Sequence, residues 1–320
     1  MSDNIRVLLI GAGNMGKAYA KVLKAQNVEF STFTRSEKTA QQFREETGCD
    51  VISGDLQSFL SKESRRFSHA INAVNVENLE TVTLSLLKAG INKILVEKPL
   101  GLSVDSIATL NDKVKEMSAS VYVAYNRRYY ASTAKALEII KEDGGLKSVL
   151  FEFTEWKTRI DFSRFPEIVR EKWLYANSSH VIDLAFYFAG MPKNWSSYSG
   201  RSNNGNEDIF VGSGLTDKNI YFSYASNWDA PGRWGVEFLT CKHRLYLRPM
   251  EKLAIQKINS VAVEEFPIDD AYDVMYKPGI YNEVCDFLSG LPSDKLKTID
   301  DQLRSIAVYE QILYGSVQRN

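Results

Sequence analysis

Three stretches of this chain carry side chains with chemistry to offer. The first is Glu97-Lys98-Pro99, which closes the apolar run Ile94-Leu95-Val96 and leads into Leu100-Gly101. A run buried on both faces is what a parallel sheet demands, and ligands of open α/β sheets sit beyond the carboxyl ends of the strands. Lys98 is therefore expected either at a ligand crevice or as a strand-end ammonium in water. The second is Gly11-Ala12-Gly13-Asn14-Met15-Gly16, between the apolar Ile5–Ile10 and a run of helical period. Strand, G-x-G-x-x-G, helix gives a tight turn at Gly11, close backbone approach to a pyrophosphate at Gly13 and close helix packing at Gly16. The third is Asn177-Ser178-Ser179-His180-Val181-Ile182-Asp183 and on to Phe188. Read as one helix, it sets Asn177, His180, Asp183 and Tyr187 on a single polar face. That face needs a polar partner, because unpaired buried groups cost about 1–3 kcal/mol each. The partner is a structural hydrogen-bond network or a ligand pocket, and in the pocket a histidine can carry a proton near neutral pH.

The glycine spacing also serves FAD or S-adenosylmethionine, but its strand–turn–helix setting favours a nicotinamide dinucleotide. The residue that reads the adenosine ribose falls at the end of the second strand, Val28–Phe33. A carboxylate there would bind the 2′-hydroxyl; this chain has Thr34-Arg35-Ser36, with Lys38 nearby. A guanidinium and hydroxyls suit a 2′-phosphate, so NADP is favoured, and Glu37 keeps NAD open. The buried run Ala70–Val74 ends beside the same crevice, making Val74, Asn75 and Asn78 expected neighbours of the nicotinamide ribose.

Strands alternating with helices over about 120 residues position these groups on a doubly wound parallel sheet. Beyond Tyr125-Asn126-Arg127-Arg128 and a helix over Tyr130–Lys141, the pattern changes to consecutive strands: 148–156, 209–215, 220–228, 234–241 and 244–247. Turn residues separate them, as in Thr216-Asp217-Lys218-Asn219, which predicts a mostly antiparallel sheet with one helix-covered face. The expected architecture is an α/β Rossmann domain at 1–124 and an α+β domain at 125–320. Its closing helix, Asp300–Ser316, is drawn as packing back on the first domain.

A length of 320 residues with 44% hydrophobic and 25% charged residues fits two domains of an ordinary globular protein. The formal charge of −1 offers nothing to nucleic acid. Cys49, Cys241 and Cys285 are far apart, a usage that fits a reducing compartment. Met1-Ser2-Asp3-Asn4 enters a strand without a signal segment, and no run reaches transmembrane length. The expectation is a cytoplasmic protein that binds neither membrane nor metal, since His69 and His243 have no metal-type neighbours in sequence. Trp156-Lys157-Thr158-Arg159-Ile160-Asp161, with Arg170 and Trp173, is either a grip for a sugar ring or diphosphate or a solvated loop. The hairpin from Trp228 to Trp234 is either a pocket rim or an oligomer contact.

Taken together, the glycine loop, Glu97-Lys98-Pro99, Asn126-Arg127-Arg128 and His180-Val181-Ile182-Asp183 resemble the Gfo/Idh/MocA family of NAD(P)-dependent oxidoreductases, over essentially the whole chain. The resemblance implies hydride transfer between nicotinamide C4 and a hydroxyl or carbonyl carbon of a sugar, inositol or nucleotide sugar. It also implies homo-oligomers joined through the open sheet. By it, Lys98 hydrogen-bonds the reacting oxygen, His180 exchanges the proton, and Glu97 and Asn126 lie near the nicotinamide. Trp173, Asn177 and Asp183 join Lys98 and His180 in binding substrate, or Asp183 orients the site. Where many members have an aspartate one turn before the histidine, this chain has Ala176, which keeps a second reading in play: a cofactor-binding sensor or assembly subunit without turnover.

Overall fold

The computed structural model describes residues 5–201 and 207–315; Met1-Ser2-Asp3-Asn4 and Ser316, named above, lie outside them. In chain order the elements begin with β1 (Arg6–Ile10), α1 (Asn14–Ala25), β2 (Glu29–Thr34), α2 (Glu37–Thr47), β3 (Val51–Ser53) and α3 (Leu56–Glu63). There follow β4 (His69–Asn72), α4 (Leu79–Lys88), β5 (Lys93–Glu97), α5 (Val104–Glu116), β6 (Ser120–Ala124), α6 (Ala131–Glu142) and β7 (Ser148–Glu152). Next are α7 (Glu167–Glu171), α8 (Ser179–Ala189), β8 (Pro192–Arg201), β9 (Glu207–Thr216), β10 (Tyr221–Asn227), β11 (Gly235–Leu239) and β12 (His243–Leu247). The chain ends through β13 (Ala254–Lys257), β14 (Val263–Glu265), α9 (Ala271–Met275), α10 (Ile280–Ser289), β15 (Lys297–Thr298) and α11 (Ile299–Tyr314).

The chain forms two compact units. In the first, seven strands lie in the order β15-β6-β5-β4-β1-β2-β3. All pair in parallel except β15, which runs antiparallel to β6. Val7, Leu8 and Leu9 of β1 and Ile94, Leu95 and Val96 of β5 are wholly buried, as expected where helices cover both faces. In the second unit eight strands lie in the order β14-β13-β12-β11-β7-β10-β9-β8, antiparallel apart from the β10–β7 pair. The buried face of this sheet meets α8 through aromatic pairs, Phe151 with Phe186 at 5.5 Å and Phe188 stacked on Phe238 at 4.0 Å. Its other face leaves Tyr198, Val211 and Tyr221 exposed. This is the Rossmann-plus-antiparallel-sheet architecture expected.

The domain division differs from a single cut at 124/125. The first unit takes residues up to Asn126 and then Val274–Leu303, and the second takes Arg127–Asp273 and the chain from Arg304. The returning segment is tied in by hydrogen bonds. Asn126 Nδ2 donates to the Pro278 carbonyl at 2.8 Å, Gln302 Nε2 to the Pro99 carbonyl at 2.8 Å, and Gln26 Nε2 to the Tyr281 carbonyl at 2.9 Å.

His69 of β4 is buried in the first unit, with its ring edge-on to Phe287. Burial, reinforced by the charge of Lys93, pushes its pKa down from 6.5 to about 4. The folded ring thus resists a proton that the unfolded chain accepts below pH 6.5, so this residue withdraws stability as pH falls from 6.5 towards 4. Denaturant midpoints measured across that window should decline less steeply in His69→Gln than in the parent; parallel declines would remove His69 as the cause.

Candidate active site

The glycine loop is built by interlock. Gly11 has φ +107° and its amide donates to the Phe33 carbonyl at 2.9 Å; a Cβ on it would strike the Ala73 backbone of the neighbouring strand. A Cβ on Gly16 would collide with the Gly11 carbonyl oxygen. Gly13 is different: a Cβ there would meet nothing within 4 Å. It is the N-cap of α1, with no side chain closing the cap and no acid in the first turn. The first-turn N–H groups of a helix lack intrahelical acceptors, and together with the helix dipole they attract anions. Two glycines therefore shape the turn and the third keeps its outer side open, which fits the pyrophosphate of a dinucleotide. Ala12 is buried, and Asn14 and Met15 open the helix.

At the end of β2, Thr34 is half-buried and Arg35 is exposed. Ser36 caps α2, accepting from the Thr39 amide. Glu37, the acid beside Arg35, bonds Arg44 at 2.8 Å and also Ser53, and the Arg44 bond leads in holding its carboxyl below the usual range. At the end of β4, Asn75 is exposed and Val74 and Asn78 are half-buried. The 73–78 loop is pinned by a residue that the sequence did not single out. Asn72, wholly buried, donates to the Leu79 carbonyl at 2.9 Å and to Thr83 Oγ1 at 3.0 Å.

Register aligns Ile10 with Asn72 and Asn72 with Val96, so the glycine loop, the 73–78 loop and Glu97-Lys98 leave one end of the sheet at one level. Lys98 stands two strand spacings from the glycine loop, roughly 10 Å. The Lys98–Pro99 peptide is cis, and Leu100 follows at φ 71°. Lys98 is half-buried. Glu97 is turned inward: its Oε1 accepts from the Tyr19 hydroxyl at 2.8 Å. Burial raises its pKa, opposed first by the Lys98 charge and then by the Tyr19 bond. Asn126 is buried and spends its Nδ2 on Pro278, as above.

In the second unit the expected single helix is two elements. Leu174–Ser178 forms a π-helical turn, and the α-helix starts only at Ser179. Asn177 therefore lies in the π-helical turn, while His180, Asp183 and Tyr187 lie in the α-helix. It donates through Nδ2 to both oxygens of Glu155, at 3.0 and 2.9 Å. His180, buried in the first turn of α8, faces the Trp234 ring at 6.1 Å. Asp183 is buried and binds Arg128 bidentately, with Nε and Nη2 each 2.8 Å from a carboxylate oxygen. Both oxygens are engaged, which favours the orienting role over direct contact with substrate.

A ladder of cations and rings runs beside this turn. Arg159 lies over Trp156 at 5.3 Å, Arg233 over Trp156 and over Trp234 at 4.8 Å each, and Arg127 over Trp234 at 4.9 Å. Trp156, Lys157, Arg159 and Trp228 line a cavity of about 380 Å³. Trp173, packed between Phe162 and Phe165, lines another of about 660 Å³ with Lys157 and Arg170. Among the described residues no cluster of His, Cys, Asp and Glu is arranged to hold a metal, and no helix is long and apolar enough to cross a membrane.

Fold and glycine loop together are those of a dinucleotide-binding Rossmann domain. Residues 5–125 match the sequence model of the Gfo/Idh/MocA oxidoreductase family, described by an NAD-binding Rossmann fold. A search of curated proteins finds no match. Among solved structures, an NAD-binding oxidoreductase from Klebsiella pneumoniae superposes with a TM-score of 0.77 at 15% identity, covering 97% of this chain and 96% of its own. UDP-N-acetylglucosamine 3-dehydrogenase GnnA from Acidithiobacillus ferrooxidans gives 0.74 at 14% identity, covering 97% and 96%. GenD2 from gentamicin A biosynthesis, in complex with NAD, gives 0.72 at 20% identity, covering 97% and 93%. At such identities the likeness shows the fold alone. The chain is an enzyme of the NAD(P)-dependent dehydrogenase or reductase type.

Proposed function

We propose that this enzyme moves a hydride between nicotinamide C4, with NADP preferred, and a hydroxyl or carbonyl carbon of a sugar or sugar derivative. The observation that carries the reading is half-buried Lys98 at the carboxyl end of β5, level with the open Gly13 loop. The bound cofactor supplies or accepts the hydride. Gly13 and the first turn of α1 hold its pyrophosphate, and the loop residues Val74, Asn75 and Asn78 flank its ribose. Lys98 donates to the reacting oxygen and stabilises the alkoxide-like charge that develops there. His180 carries the proton. Asn177 and Asp183 hold the α8 region in place, and Trp173 contacts substrate. The cation–ring ladder suits a hydroxylated, negatively charged ligand, and one of the structural neighbours is by name a UDP-N-acetylglucosamine 3-dehydrogenase. The exposed sheet face with Tyr198 and Tyr221 is read as the homo-oligomer contact, and the enzyme as cytoplasmic.

The test is single-turnover nicotinamide absorbance, with protein loaded with NADPH or NADP⁺ and mixed with sugars, inositols and nucleotide sugars. A compound-specific change supports the reading; tight cofactor binding with silence across the panel goes against a sugar substrate. NADP preference has its own test. Arg44 and Ser53 engage Glu37, leaving Arg35 to meet the 2′-phosphate. Arg35→Asp should swing the ratio of NADPH to NADH affinity by about tenfold or more, the scale of one lost charge-assisted bond. An unchanged ratio removes Arg35 from that role.

A further inference from the structure

The carboxylate that Ala176 does not provide enters the same turn from another element. Glu155 follows β7 by three residues and is 1% exposed, a position at which an acid is rarely found unless it is paired. Besides the two bonds from Asn177, its Oε1 accepts from the Ser178 hydroxyl at 2.6 Å. The Arg233 guanidinium stands 3.9 Å from its Oε2. Glu155 thus binds the last two residues of the π-helical turn, and His180 comes two residues later. The ring beside His180 belongs to Trp234, whose chain neighbour is Arg233. Three elements converge here on one buried acid. A buried charge persists only with several partners, and breaking such a set is costly, so Glu155 fixes the turn in one arrangement.

We propose that Glu155 is the positioning carboxylate for His180: it locks the turn that presents the imidazole and sets a negative charge close to the first turn of α8. A carboxylate in that position stabilises the imidazolium formed when a histidine takes up a proton. Glu155 touches no reacting atom and acts through Asn177 and Ser178. Burial raises its pKa, opposed in turn by Ser178, Arg233, Asn177 and Trp234, and burial prevails. The groups facing it are therefore Ser178, Arg233, Asn177 and Trp234, the ring of which also lies beside His180. The proposal rests on the reading of His180 as proton carrier, and its titration test needs no substrate.

With three histidines in the chain, carbon-13 NMR of the ring Cε1 positions in the full-length protein loaded with NADP⁺ resolves each one. His69→Gln and His243→Gln assign the signals. Glu155→Gln should move the His180 titration midpoint to lower pH by on the order of one unit, the effect of removing a nearby opposite charge. Glu155→Asp, which keeps the charge, should lie closer to the parent. An unmoved midpoint in Glu155→Gln overturns the proposal, as do equal shifts in the two variants. Should Glu155→Gln fail to fold, Ser178→Ala removes one bond and leaves the acid; it should give a smaller shift in the same direction, and no shift again overturns the proposal. Turnover of His180→Asn separates the two ideas. Normal turnover ends the proton-carrier reading whatever the NMR shows, whereas lost turnover with an unmoved midpoint ends only the role of Glu155.

Discussion

Lys98→Met should bind NADPH as tightly as the parent and turn over at least about a hundredfold more slowly, the scale of losing one donor aimed at developing charge. Methionine keeps the length and packing of the lysine stem and removes only the ammonium. Cofactor affinity rests on groups that Lys98 does not hold. The glycine interlock is made by Gly11, Gly16 and Ala73, and the cap of α1 by Gly13. The substitution has one side effect inside the first unit. The Lys98 charge is the leading influence that lowers the pKa of Glu97 against its burial. Its loss should therefore raise that pKa further and move any Glu97-linked limb of the pH profile upward. NADPH fluorescence and stopped-flow absorbance read the two quantities separately. Near-parental turnover would remove Lys98 from the reaction, and lost cofactor binding would make it a binding residue instead.

The largest expected effect on stability lies at Asp183. Arg128 and Asp183 are 8% and 2% exposed in their side chains and share two hydrogen bonds, with the guanidinium also over the Tyr187 ring at 4.7 Å. Burial alone would lower the Arg128 pKa, but Asp183 outweighs it and holds the cation charged. Removing one partner of such a pair strands the other, at a cost of about 3–5 kcal/mol. Asp183→Asn should lose stability on that scale in chemical denaturation followed by tryptophan fluorescence. The double variant Arg128→Met with Asp183→Leu should recover most of the loss, because it strands no charge. An unchanged midpoint in Asp183→Asn would show that the pair contributes nothing net.

What the sequence showed and what it hid divide along physical lines. The glycine loop was legible because its whole logic lies within six residues, and β1 and β5 because burial on both faces leaves unbroken apolar runs. The strand β8 was not. Pro192–Arg201 is an edge strand whose residues are mostly small or polar, with only Trp195 and Tyr198 to mark it, and edge strands favour such polar, short-side-chain composition. The π-helical turn at Leu174–Ser178 was hidden as well, because nothing local announces one. Asn72 was hidden inside an apolar strand. Glu155 was hidden because its partners lie 22 and 23 residues further along the chain, where periodicity carries no information.

The short strand β15 has a consequence for how the chain is made. The nucleotide unit begins at the amino terminus, yet β6 gains its outer neighbour only when Lys297 and Thr298 arrive, and α10 packs on α1 only after residue 280. Residues 127–273 must be synthesised in between. At about 5–20 residues per second that interval lasts roughly 7–30 s. During it the strand that follows the Lys98 strand presents open backbone donors and acceptors to whatever is nearby. On the ribosome, the part of this unit that emerges first is therefore not closed until the segment beyond residue 273 has followed it.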